Sequence, residues 1–330
     1  MKQYSYYTYF PGCSSADGTA VGYGQSIQAI SGSLGLALVE LEDWNCCGST
    51  PYGSTDELAS LCIAARNLAL AEKTGFTVLN EKDIPVERSG LDLVTPCSSC
   101  YTTLNRANSL LQQYPDLKRK VDECLAAAGL EYKGRTRVRH LFEVIYNDVG
   151  LKFIESKVIN PLNGLKVAAY YGCQLVRPEP GFDDPRNPQS LDELIVSLGG
   201  EPVPFPLKDR CCGGSLVIPE LDLTLGLIHD ILESAVSNGA QCIVTPCPLC
   251  QTNLDAYQSK VNSKFKTKYN LPILFFSQLI GLAVIPQVLP LEIPKYPIAP
   301  EYLGLHTNIV SPNPVLNHLF MTRFYATQRS

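Results

Sequence analysis

Apolar and polar positions alternate in two rhythms along this chain, and the same order of rhythms occurs twice. Residues 4–10 form an aromatic run of strand length, 19–36 carry apolar residues at helical spacing, and 37–41 make a second short strand. A helix follows over 55–74, with Leu58, Cys62, Ala65 and Leu68 at core spacing, and then a strand over 91–95. Residues 165–171, 190–198, 202–205, 221–235 and 241–245 repeat that plan as strand, helix, strand, helix and strand. Strands alternating with helices of this length predict parallel sheets. The expected fold class is α/β, built as two homologous Rossmann-like halves, each a small, mainly parallel sheet with helices.

Between the halves, 101–129 read as helical and 140–149 as a further short helix, while Asn160-Pro161 and Asn163-Gly164 supply turns. The boundary falls there, giving units over 1–160 and 161–284. Beyond Ile285, seven prolines from Pro286 to Pro314 interrupt any regular element. This segment, 285–330, is expected to be an extended arm over a surface with a short amphipathic helix at 315–325. It is the part that offers a protein or peripheral membrane contact. No stretch reaches the ~18 apolar residues of a membrane-spanning helix, because Ser277 and Gln278 interrupt the most apolar one, 271–286.

Composition narrows the chemistry. With 45% hydrophobic and 18% charged residues the chain can fill a core. A net charge of -5 provides no basic field for a phosphate backbone, so no nucleic-acid partner is expected. The start, MKQYSYYTYFPGC, has no basic stretch followed by an apolar one, which predicts a cytoplasmic, reducing location. Thirteen cysteines, an odd number, then read as metal ligands more readily than as disulfides.

Ten of the thirteen are arranged as a duplicate. VTPCSSCYTTL at 94–104 matches VTPCPLCQTNL at 244–254 in seven of eleven positions. WNCCGS before the first answers DRCCGGS before the second, and YFPGCSS around Cys13 answers YYGCQL around Cys173. Each half therefore offers a lone cysteine, a Cys-Cys-Gly and a Pro-Cys-x-x-Cys. Five thiolates exceed the four ligands of a structural zinc, and the spacing departs from ferredoxins, which favours an iron–sulfur cluster over a single ion. Gly12, Gly48, Gly172 and Gly213 beside the cysteines let the backbone bend close to a bulky inorganic core. Thr95-Pro96-Cys97 and Thr245-Pro246-Cys247 read as N-cap, N1 and N2 of helices, which sets these thiolates over the positive helix end.

This twice-repeated pattern resembles the CCG-domain family, and within it the B-type subunit of heterodisulfide reductase, over nearly all of residues 5–284. The resemblance implies one noncubane [4Fe-4S] cluster on Cys13, Cys46, Cys47, Cys97 and Cys100, and a second on Cys173, Cys211, Cys212, Cys247 and Cys250. Some relatives carry zinc in one half. It also implies an oxidoreductase component that works within a complex, passing electrons from flavoprotein or iron–sulfur partner subunits to a disulfide. The related third subunit of E-type succinate dehydrogenases and fumarate reductases exchanges electrons with quinone at the cytoplasmic face of a membrane. A non-catalytic assembly module with structural metal sites is a further reading. The residues leave the acceptor open between disulfide and quinone.

The remaining candidates are assigned duller roles. Cys62, Cys124 and Cys242 are expected to be buried packing residues. His140, His229, His306 and His318 share no ligand spacing. Trp44 divides between shielding the first cluster and filling core, and Lys208 and Arg210 between offsetting cluster charge and a solvated loop. Gly22-Tyr23-Gly24 lacks the third glycine of a nucleotide fingerprint and follows no strand. With no flavin or phosphate motif in the chain, electrons must come from another subunit.

Overall fold

Two parallel sheets organise the chain, which the computed structural model describes over residues 5–16, 18–49, 53, 55–74, 77–79, 85–87, 92–177 and 181–286. The strands are β1 (Ser5–Tyr9), β2 (Leu36–Glu40), β3 (Thr77–Leu79), β4 (Pro85–Glu87), β5 (Asp92–Thr95), β6 (Arg137–His140), β7 (Lys166–Ala169), β8 (Glu201–Pro202), β9 (Cys242–Thr245) and β10 (Ile273–Phe275). The first sheet runs β2-β1-β5-β6 and the second β8-β7-β9-β10, while β3 and β4 form a separate antiparallel pair. Pairing β1 with β7, β2 with β8, β5 with β9 and β6 with β10 makes the two orders the same. Every ladder within both four-stranded sheets is parallel. In each sheet the order reverses between the first and third strands, and open α/β sheets leave a crevice outside the strand ends at such a point.

In chain order the α-helices are α1 (Cys13–Ala16), α2 (Val21–Leu34), α3 (Glu57–Thr74), α4 (Ser98–Gln113), α5 (Pro115–Ala127), α6 (Leu141–Val144), α7 (Leu151–Lys157), α8 (Gly172–Val176), α9 (Ser190–Ser197), α10 (Leu221–Ser237), α11 (Pro248–Ala256), α12 (Gln258–Phe265) and α13 (Phe276–Val284). A π-helical turn, Ile145–Gly150, joins α6 to α7. The helix expected over 101–129 is two helices. Pro115 cannot continue α4 and holds Tyr114 in an extended conformation, then opens α5 as its first residue. β6 departs from the sequence expectation, because RVRH carries too few apolar residues to read as a strand. The strand expected over 202–205 shrinks to Glu201–Pro202. On α3 the buried face is Leu61, Ala64, Ala65 and Leu68; Leu58, near the helix start, is exposed and Cys62 half-buried.

One core cluster draws on both halves, with Tyr7, Tyr23, Ile27 and Val94 packed together with Val167, Tyr171, Phe276 and Leu279. The halves thus share an interior. Where α2 meets α13, Ser26 Oγ and Ser277 Oγ lie 2.6 Å apart in a buried hydrogen bond. The apolar stretch at 271–286 owes its composition to this position: all of β10 and α13 is buried. Among the described residues no helix is long and apolar enough to cross a membrane. The proline-rich arm beyond 286, with its expected helix, lies outside the described residues.

Arg139 anchors β6 from inside. Its side chain is 5% exposed and pairs with Asp148 at 2.6 Å, Glu143 at 2.9 Å and Asp92 at 3.2 Å. Tyr7 of β1 donates to the same Asp148 at 2.6 Å. Arg139→Ala would strand the buried Glu143 and the partly buried Asp92 and Asp148, and is expected to cost about 3 kcal/mol in denaturant unfolding. Arg119→Ala, which removes an exposed pair with Glu123, should cost less than about 0.5 kcal/mol.

Candidate functional site

The cysteines gather where the strands of each sheet end. After β1, Phe10-Pro11-Gly12 turns the chain and Cys13 opens α1; after β7, Tyr170-Tyr171 leads into α8, where Cys173 follows Gly172 as the second residue. Gly12 and Gly172 have φ of +72° and +65°. A Cβ on Gly12 would come within 3.0 Å of Cys100 Sγ, and one on Gly172 within 3.0 Å of Cys250 Sγ. Both turns bring the lone-cysteine segment against the second thiol of Cys-x-x-Cys, and glycine suits them because a side chain there would be crowded and its backbone strained.

Strands β5 and β9 lead into the Cys-x-x-Cys helices. Cys97 and Cys247 are the N-caps of α4 and α11 with extended backbone, two positions later than the sequence suggested for the cap. Cys100 and Cys250 follow in the first turn, so both thiols of each pair still sit at the positive helix end. The Cys-Cys turns come from the loops after β2 and β8. In the first half Asn45 and Asn67 exchange hydrogen bonds of 3.0 and 2.9 Å, and Asn45 Nδ2 donates to the Cys46 carbonyl at 2.8 Å. In the second, Asn253 of α11 donates to the carbonyls of Cys212 and Gly214 at 3.1 and 3.0 Å. Its Nδ2 also lies 3.7 Å from Cys212 Sγ.

These elements bring most of the ten thiols into mutual contact. Cys47 hydrogen-bonds with both Cys46 and Cys100, Cys100 with Cys97, and Cys247 with Cys250. Cys212 Sγ lies 3.6 Å from Cys250 Sγ, and Cys173 hydrogen-bonds with Cys211. Cys13 is exposed at the rim, close enough to Cys46 to act on its charge. The two halves also approach one another through sulfur, because Cys97 and Cys247 are near enough to act on each other's thiols. All of these cysteines are free thiols.

The electrostatics show why such a group calls for a cation. The hydrogen bonds that Cys100 donates to Cys47 and Cys97, then burial, hold its thiol well up, and the bonds Cys250 donates to Cys212 and Cys247, with burial, do the same there. Cys47 and Cys247 are driven well down, chiefly by the thiols of Cys100 and Cys250 donating to them. Cys211 falls to about 6 through its bond from Cys173, helped by the Gly213 N–H at 3.4 Å. One thiolate forms by taking hydrogen bonds from neighbours that must then stay protonated; all can ionise together only around positive charge. The donor set is all sulfur, close-packed, at two helix ends, and this fits a soft, polynuclear iron centre. Among the described residues no three Cys, His, Asp or Glu side chains are placed to hold a single metal ion.

A ring of contacts fixes one half on the other. Tyr23 Oη lies 3.0 Å from the Pro96 carbonyl and 3.1 Å from the Pro246 carbonyl, so its one proton serves both cysteine motifs. Its ring stacks on Phe275 at 4.0 Å. Thr102 of α4 donates to the Gln174 carbonyl at 2.8 Å, and its repeat counterpart Thr252 meets Thr19 at 3.4 Å. Each Cys-x-x-Cys helix thereby grips the segment behind the other half's lone cysteine. Beside this junction lies a polar cavity of about 480 Å³ lined by Gly48, Ser49, Ser60, Ser99, Arg106 and Gln174.

Other sequence candidates resolve differently. Lys208 Nζ is engaged by Asp192 at 3.1 Å and the Pro188 carbonyl at 2.6 Å, so it holds a loop; the cation that acts on Cys211 is Arg177. Trp44 is half-buried, edge-on to Phe10 with ring centroids 5.4 Å apart, and donates to Glu40 at 2.8 Å. His229 stacks on Phe265, while His306 and His318 lie outside the described residues. Tyr23, His140 and Asn253 are site residues that sequence reasoning misses. The signal for Asn253 is present, since it replaces Thr103 at one of the four positions where the two repeat segments differ.

A family profile described as "CCG: Cysteine-rich domain" matches residues 7–105 and 167–255. The chain belongs to the CCG family. It is 37% identical over 306 residues to the 8-methylmenaquinol:fumarate reductase membrane anchor subunit of Wolinella succinogenes, covering 92% of this chain and 96% of that one. It is 32% identical over 297 residues to the B-type subunit of the ferredoxin/F(420)H(2)-dependent CoB-CoM heterodisulfide reductase of Methanosarcina acetivorans, covering 88% of each. A crystal structure of a hypothetical protein from Helicobacter pylori superposes with a TM-score of 0.68 at 16% identity, over 91% of this chain and 51% of that one, a likeness of fold alone. This CCG chain thus spans about half of that protein.

Two measurements test the junction. Tyr23→Phe leaves a buried carbonyl short of a donor and is expected to cost about 1–3 kcal/mol in unfolding experiments. His140 is fully buried, its Nδ1 accepting from Phe142 N–H at 3.1 Å, which leaves the proton on Nε2 facing Ser98 and the two proline carbonyls. Burial pushes its imidazole down from 6.5 to about 3. The unfolded chain takes up a proton first, so this contribution is full above pH 6.5 and is lost as pH falls toward 3. The stability difference between wild type and His140→Gln should shrink over that window, by up to about 1.4 kcal/mol per pH unit.

Proposed function

We propose that this chain is the iron–sulfur subunit of a multi-subunit oxidoreductase, holding two [4Fe-4S] clusters of the noncubane kind. One would rest on Cys13, Cys46, Cys47, Cys97 and Cys100, the other on Cys173, Cys211, Cys212, Cys247 and Cys250. The observation that carries this reading is the meeting of two sulfur sets, each at the end of a parallel sheet of the same strand order, through Cys97 and Cys247. Bound clusters would supply one-electron carriers at that junction. The protein's own part is to hold the donors at two helix ends, to exclude water with Phe10, Tyr23 and Tyr170, all fully buried, and to keep the halves in register. The units 1–160 and 161–284 would each contribute one site, with 285–330 as an arm.

Electrons would arrive from flavoprotein or iron–sulfur partner subunits, because the chain carries no flavin motif. For the acceptor we favour a quinone, with the complex at the cytoplasmic face of a membrane and this chain in peripheral contact. The support is the relative named as a fumarate reductase subunit, matched over 96% of its length. The polar cavity supports a second reading: Arg106, Ser49 and Ser99 suit a small charged disulfide better than an isoprenoid chain.

Anaerobically purified full-length chain is expected to be coloured and to contain roughly eight irons with matching sulfide. Cys47→Ser and Cys212→Ser should each lose about half of that iron with an unchanged far-ultraviolet spectrum. Colourless protein with zinc and no iron would overturn the proposal.

A further inference from the structure

Three cysteines stand outside the two sets, and they are not alike. Cys242 is fully buried in β9, where burial pushes its thiol up to about 12, and it has no route to solvent. Cys62 and Cys124, expected from residue type to be buried as well, are half-buried and exposed respectively. They face one another. Cys62 projects from α3 and Cys124 from α5, two helices packed on one another, and the two thiols are close enough to act on each other's charge. Both line a cavity of about 620 Å³ whose wall also includes Trp44, Cys46, Arg66 and Leu125.

We propose that Cys62 and Cys124 are a thiol–disulfide pair, closing reversibly into an intrachain disulfide by exchange with a low-molecular-weight disulfide. Two features point there together: a pair of thiols facing one cavity from two packed helices, and one of them open to solvent beside a space large enough for a small reagent. A packing role explains neither, since packing cysteines are buried and need no sulfur partner. In the first step the Cys124 thiolate attacks one sulfur of the reagent, forming a mixed disulfide and releasing one thiol. In the second, Cys62 gives its proton to solvent and attacks the Cys124 sulfur, and the second thiol leaves. Two protein thiols are oxidised and one disulfide is reduced to two thiols, so electrons and protons balance.

The position gives the bond a consequence. α3 carries Asn67 and Arg66, which hold the turn at Asn45 through contacts of 3.0 Å each, and Cys46 follows directly. A covalent tie from α3 to α5 would stiffen the support of that turn and narrow the cavity beside Cys46 while using neither ligand set. The pair stands on its own geometry and goes beyond the electron-transfer reading.

The test treats the anaerobically purified full-length chain with glutathione disulfide, blocks remaining thiols with iodoacetamide, and maps peptides by mass spectrometry alongside iron content. The expected result is loss of alkylation at Cys62 and Cys124, a single linked peptide joining them, its reversal by dithiothreitol, and unchanged iron. In Cys62→Ser, Cys124 should retain a glutathione adduct; in Cys124→Ser, Cys62 should remain alkylated. Full alkylation of both residues in the treated wild type, a lasting adduct on Cys124 beside free Cys62, or a link running to Cys46 would each overturn the proposal. Iron content reports separately on the clusters, so failure of one reading is distinguishable from failure of the other.

Discussion

A single phenol oxygen, Tyr23 Oη, lies between the carbonyls of Pro96 and Pro246, and the arrangement of both cysteine groups depends on it. Each carbonyl belongs to the residue just before an N-capping cysteine, so its position fixes where the first thiol of each helix stands. Proline restricts the residue before it and its own φ, which leaves this peptide little freedom once the carbonyl is held. His140 presses on the same two carbonyls from β6, and Phe275 backs the tyrosine ring. The shared core then has a polar centre that is satisfied only when both halves are present. A polar group so enclosed costs little when paired and much when not, which makes this contact specify the register of the halves as well as support it.

Around that centre the halves differ in detail. Asn253 ties α11 to the Cys-Cys turn of the second half, while the first half uses Asn45 and Asn67, neither of them on the corresponding helix. Tyr170 donates to the Arg210 carbonyl at 2.6 Å where Phe10 can donate nothing and leans on Trp44 instead. The sulfurs of the second set therefore have an amide donor close by at Cys212, and an amide near sulfur favours its thiolate form. Equal sets of cysteines do not make equal surroundings.

Much of this is legible in the sequence because it is written locally. Strand–helix alternation comes from hydrophobic period, and the doubled Cys-Cys-Gly and Pro-Cys-x-x-Cys stand out against any composition. The failures have physical reasons. β6 is RVRH, whose arginine is buried through ion pairs that only the fold supplies. The role of Tyr23 depends on a carbonyl more than two hundred residues away, and no local pattern encodes such a meeting. The apolar stretch at 271–286 is rich because it lies between two sheets' worth of core, a context that hydropathy cannot distinguish from other dry surroundings. The exposure of Cys124 escapes a reading by residue type, which says buried, whereas α5 turns that position outward.

The turns at Gly12 and Gly172 carry a last implication. Sulfur crowds the space that the smallest side chain would need, and every replacement of glycine adds at least one carbon there. A duplicated polypeptide ordinarily lets one copy wander once the other keeps working. Here a methyl group at either turn would push against the second thiol of its own Cys-x-x-Cys, so the two copies carry the same steric constraint at the same place.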